Sequence, residues 1–368
     1  MTDPTIEATA RPPGVPALTV VIPTMNRKDV LLRTLEALEH QTLDRAHFEV
    51  IVVDDGSSDG TADSVAARRF DLPLRVLRIP NSGLAAARNR GWRAGRGAVV
   101  LFLDDDVIPA PDLLRQHLLV HGGRDDAVAI GSLPFHEDVA REPLVRYLDR
   151  VTFFDLYRNP RKYPGGVPPL PPLNGNSSVR RAHLERVGGY DETFRAYGGE
   201  DLDLGWRLQR SGLTFVYNAD AVGFHRHAKG FEAFCRDQEQ AGQAVARLAE
   251  LHPEVRSAKK VDLVSDPWTR LRGRKLCARI ALELLFLCPV PVRLARRAVR
   301  RLERRRASGW LLFRLYRLCS HYHYARGIRR YARERGPGPA PGAHVPLVRP
   351  AGPVRERVPP ARDRAGAV

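Results

Sequence analysis

"VVLFLDDDVIPAPDLL", residues 99–114, decides how this chain reads. Five apolar residues run straight into three aspartates, and the chain then turns at Pro109 and Pro111. An unbroken apolar run of this kind reads as a strand buried on both faces. Three carboxylates at one strand end repel, and each resists ionising beside the others. A divalent cation is the usual counterweight. A solvated turn is the plain alternative.

The pattern repeats upstream. "ALTVVIP" (17–23) reads as a buried strand ended by Pro23, and "NRKDVLLRTLEALEHQ" (26–41) has helical periodicity, with Val30, Leu31, Leu35 and Leu38 on one side. "FEVIVVDDGSSDGT" (48–61) is a second buried strand closed by a Gly-rich turn, with Asp59 or Thr61 as cap of the helix "ADSVAARRF". "LRVLRI" (74–79) is a third strand and "SGLAAARNRGWRAGRG" (82–97) a helix. Strand and helix alternate up to the aspartates, which signals a parallel sheet covered on both faces. Such sheets bind ligands at the carboxyl ends of their strands. That rule puts Pro23–Asn26, Asp54–Ser57 and Asp104–Asp106 along one crevice.

Downstream, residues 125–175 are less regular, and "NPRKYPGGVPPLPPLNGN" (159–176) reads as a lid or substrate loop. "GNSSVRRAHLERVGGYDETF" (175–194) contains a helix ending near Gly188. "YGGEDLDLGWRLQRSG" (197–212) opens a helix on an acidic cluster and ends it at Gly212. "LTFVYNADAVGFHRH" (213–227) is a strand followed by two histidines, and 231–252 a further helix.

The 368 residues are 43% apolar, enough for one large core or two smaller ones. Four cysteines show no metal spacing, which fits a reduced, cytoplasmic setting. The start of the chain lacks the pattern of a signal peptide, and the longest apolar stretch, 276–292, is short for a membrane span. The net charge of +17 is uneven. Residues 271–368 hold 24 Arg and Lys against 5 Asp and Glu, whereas residues 1–270 hold 35 against 37.

"VVIPTMNR", "VIVVDDGSSDGT", "NSGLAAARNRG", "FLDDDV", "NGNSSVRR", "GGYDETF" and "GGEDLDLGWRLQRSG", in this order over residues 18–230, resemble the family 2 glycosyltransferases that use nucleotide sugars. The resemblance implies the GT-A fold: a Rossmann-like, mostly parallel α/β sheet flanked by helices, over residues 17–252. Residues 17–120 would form the nucleotide-binding half and 121–252 the acceptor half. It implies that Pro23, Thr24 and Asn26 hold the nucleotide base. Asp54 and Asp55 would contact base and ribose, and Asn81, Gly83 and Arg88 would line the base and diphosphate pocket. Asp104 and Asp106 would frame a DxD motif, Asp104 nearer the ribose and both counted as ligands of a metal, Mn²⁺ or Mg²⁺. Asp105 would share either task. His225 would add a metal or diphosphate contact, with His227 as a substitute. Asp201, beside Glu200, would be the general base. Asn174, Gly175, Asn176, Gly199 and Trp206 are the candidates facing donor sugar and acceptor.

The chemistry suits those residue types. Charge grows on the departing diphosphate, and hard oxygen ligands hold the cation that offsets it. An acceptor hydroxyl needs its proton removed by a carboxylate. Plainer roles stay open. Asp54–Asp55 before "GSSDG" also suits turn capping, and Glu200–Asp201 also suits a helix N-terminus. His225 and Arg88 also suit structural or surface positions, and Trp92 and Trp206 suit a core.

The reading is therefore a metal-dependent, inverting, hexosyl-type glycosyltransferase. Its donor would be a nucleoside-diphosphate sugar, UDP-linked by preference. Its acceptor would be a hydroxyl on a glycan, a lipid-linked intermediate or a natural product, as in cell-envelope or polysaccharide biosynthesis. A non-catalytic nucleotide-sugar-binding module is the alternative. Phosphoryl or nucleotidyl transfer lacks a P-loop. Residues 253–335 read as amphipathic helices with basic faces, suited to an anionic membrane surface. Nucleic acid is disfavoured, since no groove-reading motif accompanies the charge. Residues 1–16 and 336–368 read as disordered.

Overall fold

The computed structural model describes residues 14–151, 170–195, 197–226, 229–257, 259–266, 270–305 and 309–335. His227, residues 1–13 and 336–368, and most of the Pro/Gly-rich loop lie outside the described residues.

Strands and helices alternate as the apolar runs predict: β1 (Leu18–Thr24), α1 (Lys28–Glu39), β2 (Phe48–Asp55), α2 (Thr61–Ala67), β3 (Leu74–Ile79), α3 (Leu84–Ala94) and β4 (Val99–Leu103). There follow β5 (Val107–Pro109), α4 (Leu113–Gly123), β6 (Ala127–Ser132), α5 (Glu137–Ala140), α6 (Pro143–Val151), β7 (Asn176–Arg180), α7 (Arg181–Val187), α8 (Glu200–Arg210), β8 (Thr214–His225) and α9 (Phe231–Leu251). The basic region forms α10 (Val261–Ser265), α11 (Gly273–Leu287), α12 (Val290–Arg304) and α13 (Trp310–Arg335).

One eight-stranded sheet runs in the order β3-β2-β1-β4-β7-β6-β8-β5. Its first half is parallel, β1 lying between β2 and β4. β7 then enters antiparallel to both β4 and β6. Both faces are covered. Val20 and Ile22 join a core with Leu31 and Leu35 of α1, whereas Val21 joins a second core with Trp92 and Phe102. Helix α3 reaches the sheet through Gly91, where an added Cβ would meet Val21 Cγ1 at 2.3 Å.

Strand β7 was not legible. "NSSVR" lacks an apolar run, yet Asn176, Ser177 and Ser178 are fully buried. Helix α4 supplies the partners. His117 bonds Ser178 Oγ and Asn176 Oδ1, each at 2.8 Å, and His121 bonds Ser178 Oγ at 2.8 Å. Burial pushes His117 down to about 4, so it serves as a neutral hydrogen-bonding group.

The basic region packs on the rest. Helices α9 and α13 meet where Gly242 faces the Tyr324 carbonyl and Gly327 faces the Glu239 carbonyl, and a Cβ at either glycine would lie 2.0 or 1.9 Å from that oxygen. Side chains there would force the helices apart. No helix among the described residues is long and apolar enough to cross a membrane.

Candidate active site

Parallel pairing sets Thr24 beside Asp54 at the strand ends. Asp54 Oδ1 accepts the Ser57 amide at 2.9 Å. Asp55 accepts the amides of Ser82 at 2.7 Å and Gly83 at 2.9 Å, so it fixes the entry to α3. Asn26 sits at φ 52°, and its side-chain oxygen accepts the Ser58 amide at 2.8 Å. Asn81 donates to Met25 Sδ at 3.3 Å on the same rim. Asp55, Asn26 and Asn81 thus shape the wall of the crevice, with side chains engaged in the loops themselves. The N-cap of α2 is Gly60 rather than Asp59 or Thr61, and Asp59, one residue before it, accepts the Thr61 amide at 3.0 Å.

The three aspartates point three ways. Asp104 accepts Arg88 Nη2 at 3.0 Å. Asp105 turns inward, accepting Thr24 Oγ1 at 2.7 Å and pairing with Arg27 at 3.0 Å. Asp106 pairs with Arg27 at 2.7 Å, and its other oxygen lies 3.3 Å from His225 Nε2. The strand pairing explains that last contact: β5 runs antiparallel to β8 with Val107 opposite His225. Burial pushes Asp105 up to about 7, Asp106 and Asp104 adding to the shift while Arg27 and Thr24 oppose it. Arg27 received no role from the sequence. The available signal was charge: a cluster of carboxylates at this rim calls for a cation, and Arg27 follows the first strand directly.

Arg88 joins the two acidic clusters. Buried on α3, it donates to Asp104 and, from Nη1, to Glu200 Oε1 at 3.0 Å. Its guanidinium lies 5.3 Å from the centre of the Tyr190 ring. Glu200 is 4% exposed, and its Oε2 is buried without a hydrogen-bond partner among the described residues. Gly199, at φ 97°, turns the chain into α8, and its amide donates to Asp201 Oδ1 at 3.3 Å. Burial raises Asp201, against the pull of Arg88 and Lys259.

Two outcomes follow from the Arg88 bridge. At pH 8, above the value of about 7 to which Glu200 is raised, Arg88→Leu leaves Glu200 a buried charge without its partner, and stability falls by about 3–5 kcal/mol in chemical denaturation. A loss within error would mean that the bridge does not hold the two halves. Glu200 is pushed up to about 7, first by burial and then by Asp201, against an ordinary value of 4.5. The folded protein therefore keeps a proton that the unfolded chain releases. Stability falls as pH rises from about 4.5 to about 7. Glu200→Gln flattens that slope of Tm against pH, and an unchanged slope would assign it elsewhere.

Other expected contacts are placed differently. Asn176 is fully buried, with its amide on the carbonyls of Ser132 and Ala221 at 3.1 and 2.9 Å, so its side chain faces no sugar. Trp206 stacks on His252 at 3.9 Å, and His252 bonds Asp203 at 2.8 Å. Five residues along a helix is about 140° of rotation, which turns Trp206 away from Asp201. Asn174 bonds the Ser177 hydroxyl at 2.7 Å and the Gly131 carbonyl at 3.1 Å. Gly175 remains at the site: its carbonyl accepts the Asp104 amide at 3.0 Å, and a Cβ there would meet the Asp104 side chain. Trp92 is core. Asp106 and His225 converge, while Asp104 turns to Arg88. Among the described residues no three His, Cys, Asp or Glu side chains form a complete metal cage.

Residues 19–185 match the model of glycosyl transferase family 2, and residues 172–229 match that of the N-terminal domain of galactosyltransferase. The chain contains a family 2 glycosyltransferase domain. An uncharacterized glycosyltransferase of Bacillus subtilis (strain 168), YfnE, is 29% identical over 282 residues, covering 65% of this chain and 71% of the relative. A validoxylamine A glucosyltransferase of Streptomyces hygroscopicus subsp. jinggangensis is 34% identical over 245 residues, which span 60% of this chain and 58% of that protein. Among solved structures, the mannosyltransferase PcManGT of Pyrobaculum calidifontis, in complex with GDP-Man and Mn²⁺, shares the fold. Its TM-score is 0.60 at 21% identity, with 88% of each chain covered. The family 2 match thus spans the sheet from β1, less Leu18, to β7, and the Asp201 carboxylate and His225 fall within the second match.

Proposed function

We propose that this chain is a metal-assisted, inverting glycosyltransferase. It moves a hexosyl group from a nucleoside-diphosphate sugar, UDP-linked by preference, to a hydroxyl on a glycan, a lipid-linked intermediate or a natural product. The observation that carries the proposal is Arg88, which ties the acidic cluster at the end of β4 to the Glu200–Asp201 pair opening α8. A donor needs one such cluster at its diphosphate, and an acceptor needs a carboxylate on the far side of the sugar.

In this mechanism Asp201 accepts the proton of the acceptor hydroxyl as that oxygen attacks the anomeric carbon. The sugar–phosphate bond breaks on the opposite side, and the electron pair leaves with the diphosphate. Arg88 holds Glu200 and Asp104 in register. Arg27 fixes Asp105 and Asp106. Asp106 and His225 suit a hard divalent cation, because such ions are held by one or two protein carboxylates together with substrate phosphates. The imidazole favours Mn²⁺ over Mg²⁺. A bound cation would supply positive charge to the departing diphosphate.

The test is a panel of nucleotide sugars incubated with Mn²⁺, with Mg²⁺ or with chelator. One donor should release its nucleoside diphosphate, and only with metal. Release of pyrophosphate would instead mark nucleotidyl transfer. Donor binding with no release in the presence of any acceptor hydroxyl would mark a binding module.

A further inference from the structure

Helix α11 contains no buried residue, although it is rich in leucine. An amphipathic helix on a globular protein normally turns its apolar stripe to the core. Here one stripe faces out. Ile280, Leu284 and Leu287 recur at intervals of four and three, and Leu284 and Leu287 are 60% and 81% exposed. Val290 and Leu294 of α12 extend the patch, Leu294 being 56% exposed. The helix is anchored from its other side. Arg329 of α13 pairs with Glu283 at 2.8 Å and lies 4.2 Å from the Phe286 ring.

Exposed Arg274 and Lys275 flank the stripe at one end, and Arg293, Arg297 and Arg301 of α12 flank it at the other. We propose that this face docks on an anionic lipid bilayer, the leucines entering the acyl boundary while the arginines contact headgroup phosphates. An apolar stripe with basic borders on a helix lying in the interface plane has the chemistry for that surface. A second copy of the chain would bring like charge against like charge. Residues 336–368 hold five arginines and two acidic residues, the wrong sign to cover a basic face.

The full chain is tested by flotation with vesicles of phosphatidylcholine alone or mixed with phosphatidylglycerol. It should float with the mixed vesicles and sink with the neutral ones, and added salt should release it. Leu284→Glu with Leu287→Glu should lower partition by at least about tenfold, because two interfacial side chains are lost. Arg293→Gln and Arg297→Gln should each cost roughly fivefold. These sites are exposed, so Tm and nucleoside-diphosphate release should not change. Equal binding to neutral vesicles, no binding, or indifference to all four substitutions would overturn the proposal. So would a dimer in sedimentation velocity that Leu284→Glu dissociates while the wild type ignores lipid.

Discussion

Asp201→Asn protein should lose about 10²–10⁴-fold in kcat, the usual worth of a positioned general base. Donor affinity should stay close to that of the wild type, because Asp201 faces the acceptor in the proposed reaction. The amide keeps the shape of the side chain and its place at the start of α8, so Tm is the control for folding. The pH profile adds a second readout. Burial raises Asp201 above the ordinary carboxylate range, and Arg88 and Lys259 only partly offset this. Below its pKa the group is protonated and accepts nothing. The rate should therefore rise with pH through a limb lying above the ordinary aspartate value, then level off. Glu200 is coupled to Asp201 through charge, so the limb belongs to the pair. Asp201→Asn protein that transfers sugar at the wild-type rate would remove the base from the mechanism.

Asp106→Ala is the second large effect. Removing outer partners of a metal site costs about 10–100-fold, so removing a ligand should cost about 100-fold or more in kcat/KM. The substitution also strips Arg27 of its 2.7 Å partner, while its 3.0 Å pair with Asp105 stays in place. Mn²⁺ binding in the presence of nucleoside diphosphate, read by electron paramagnetic resonance, separates the two causes. Lost Mn²⁺ signal with intact folding supports the ligand role. If Asp106→Ala binds Mn²⁺ as the wild type does, the cation is held elsewhere. Full wild-type activity in chelator would end the case for metal altogether.

The strands at the heart of the sheet were legible because burial on both faces leaves long apolar runs in β1, β2 and β4, broken inside the sheet by the hydrogen-bonded pair Thr19 and Glu49. The rule for parallel sheets then located the acidic rim. Strand β7 was illegible because Ser178 and Asn176 are satisfied by His117 and His121, which lie nearly sixty residues upstream. Local periodicity holds no record of such partners. The acidic motifs of the candidate site were plain in the sequence, but the pairing among them was not. Spacing alone does not say that Asp105 turns inward to Thr24, or that Arg88 spans from Asp104 to Glu200. Trp206 shows a related failure. Its nearness to Asp201 in sequence suggested a shared site, and helical phase turned it to His252 instead.

The glycines at 242 and 327 have a mechanical consequence. Where two helices touch backbone to backbone, neither rocks against the other without collision. The arginine-rich helices are thus packed tightly against the part of the chain that holds the carboxylates. Any surface the leucine stripe rests on must see the cleft at one fixed height and tilt. An acceptor embedded in that surface would have to extend its hydroxyl to the cleft, since the cleft cannot swing down to meet it.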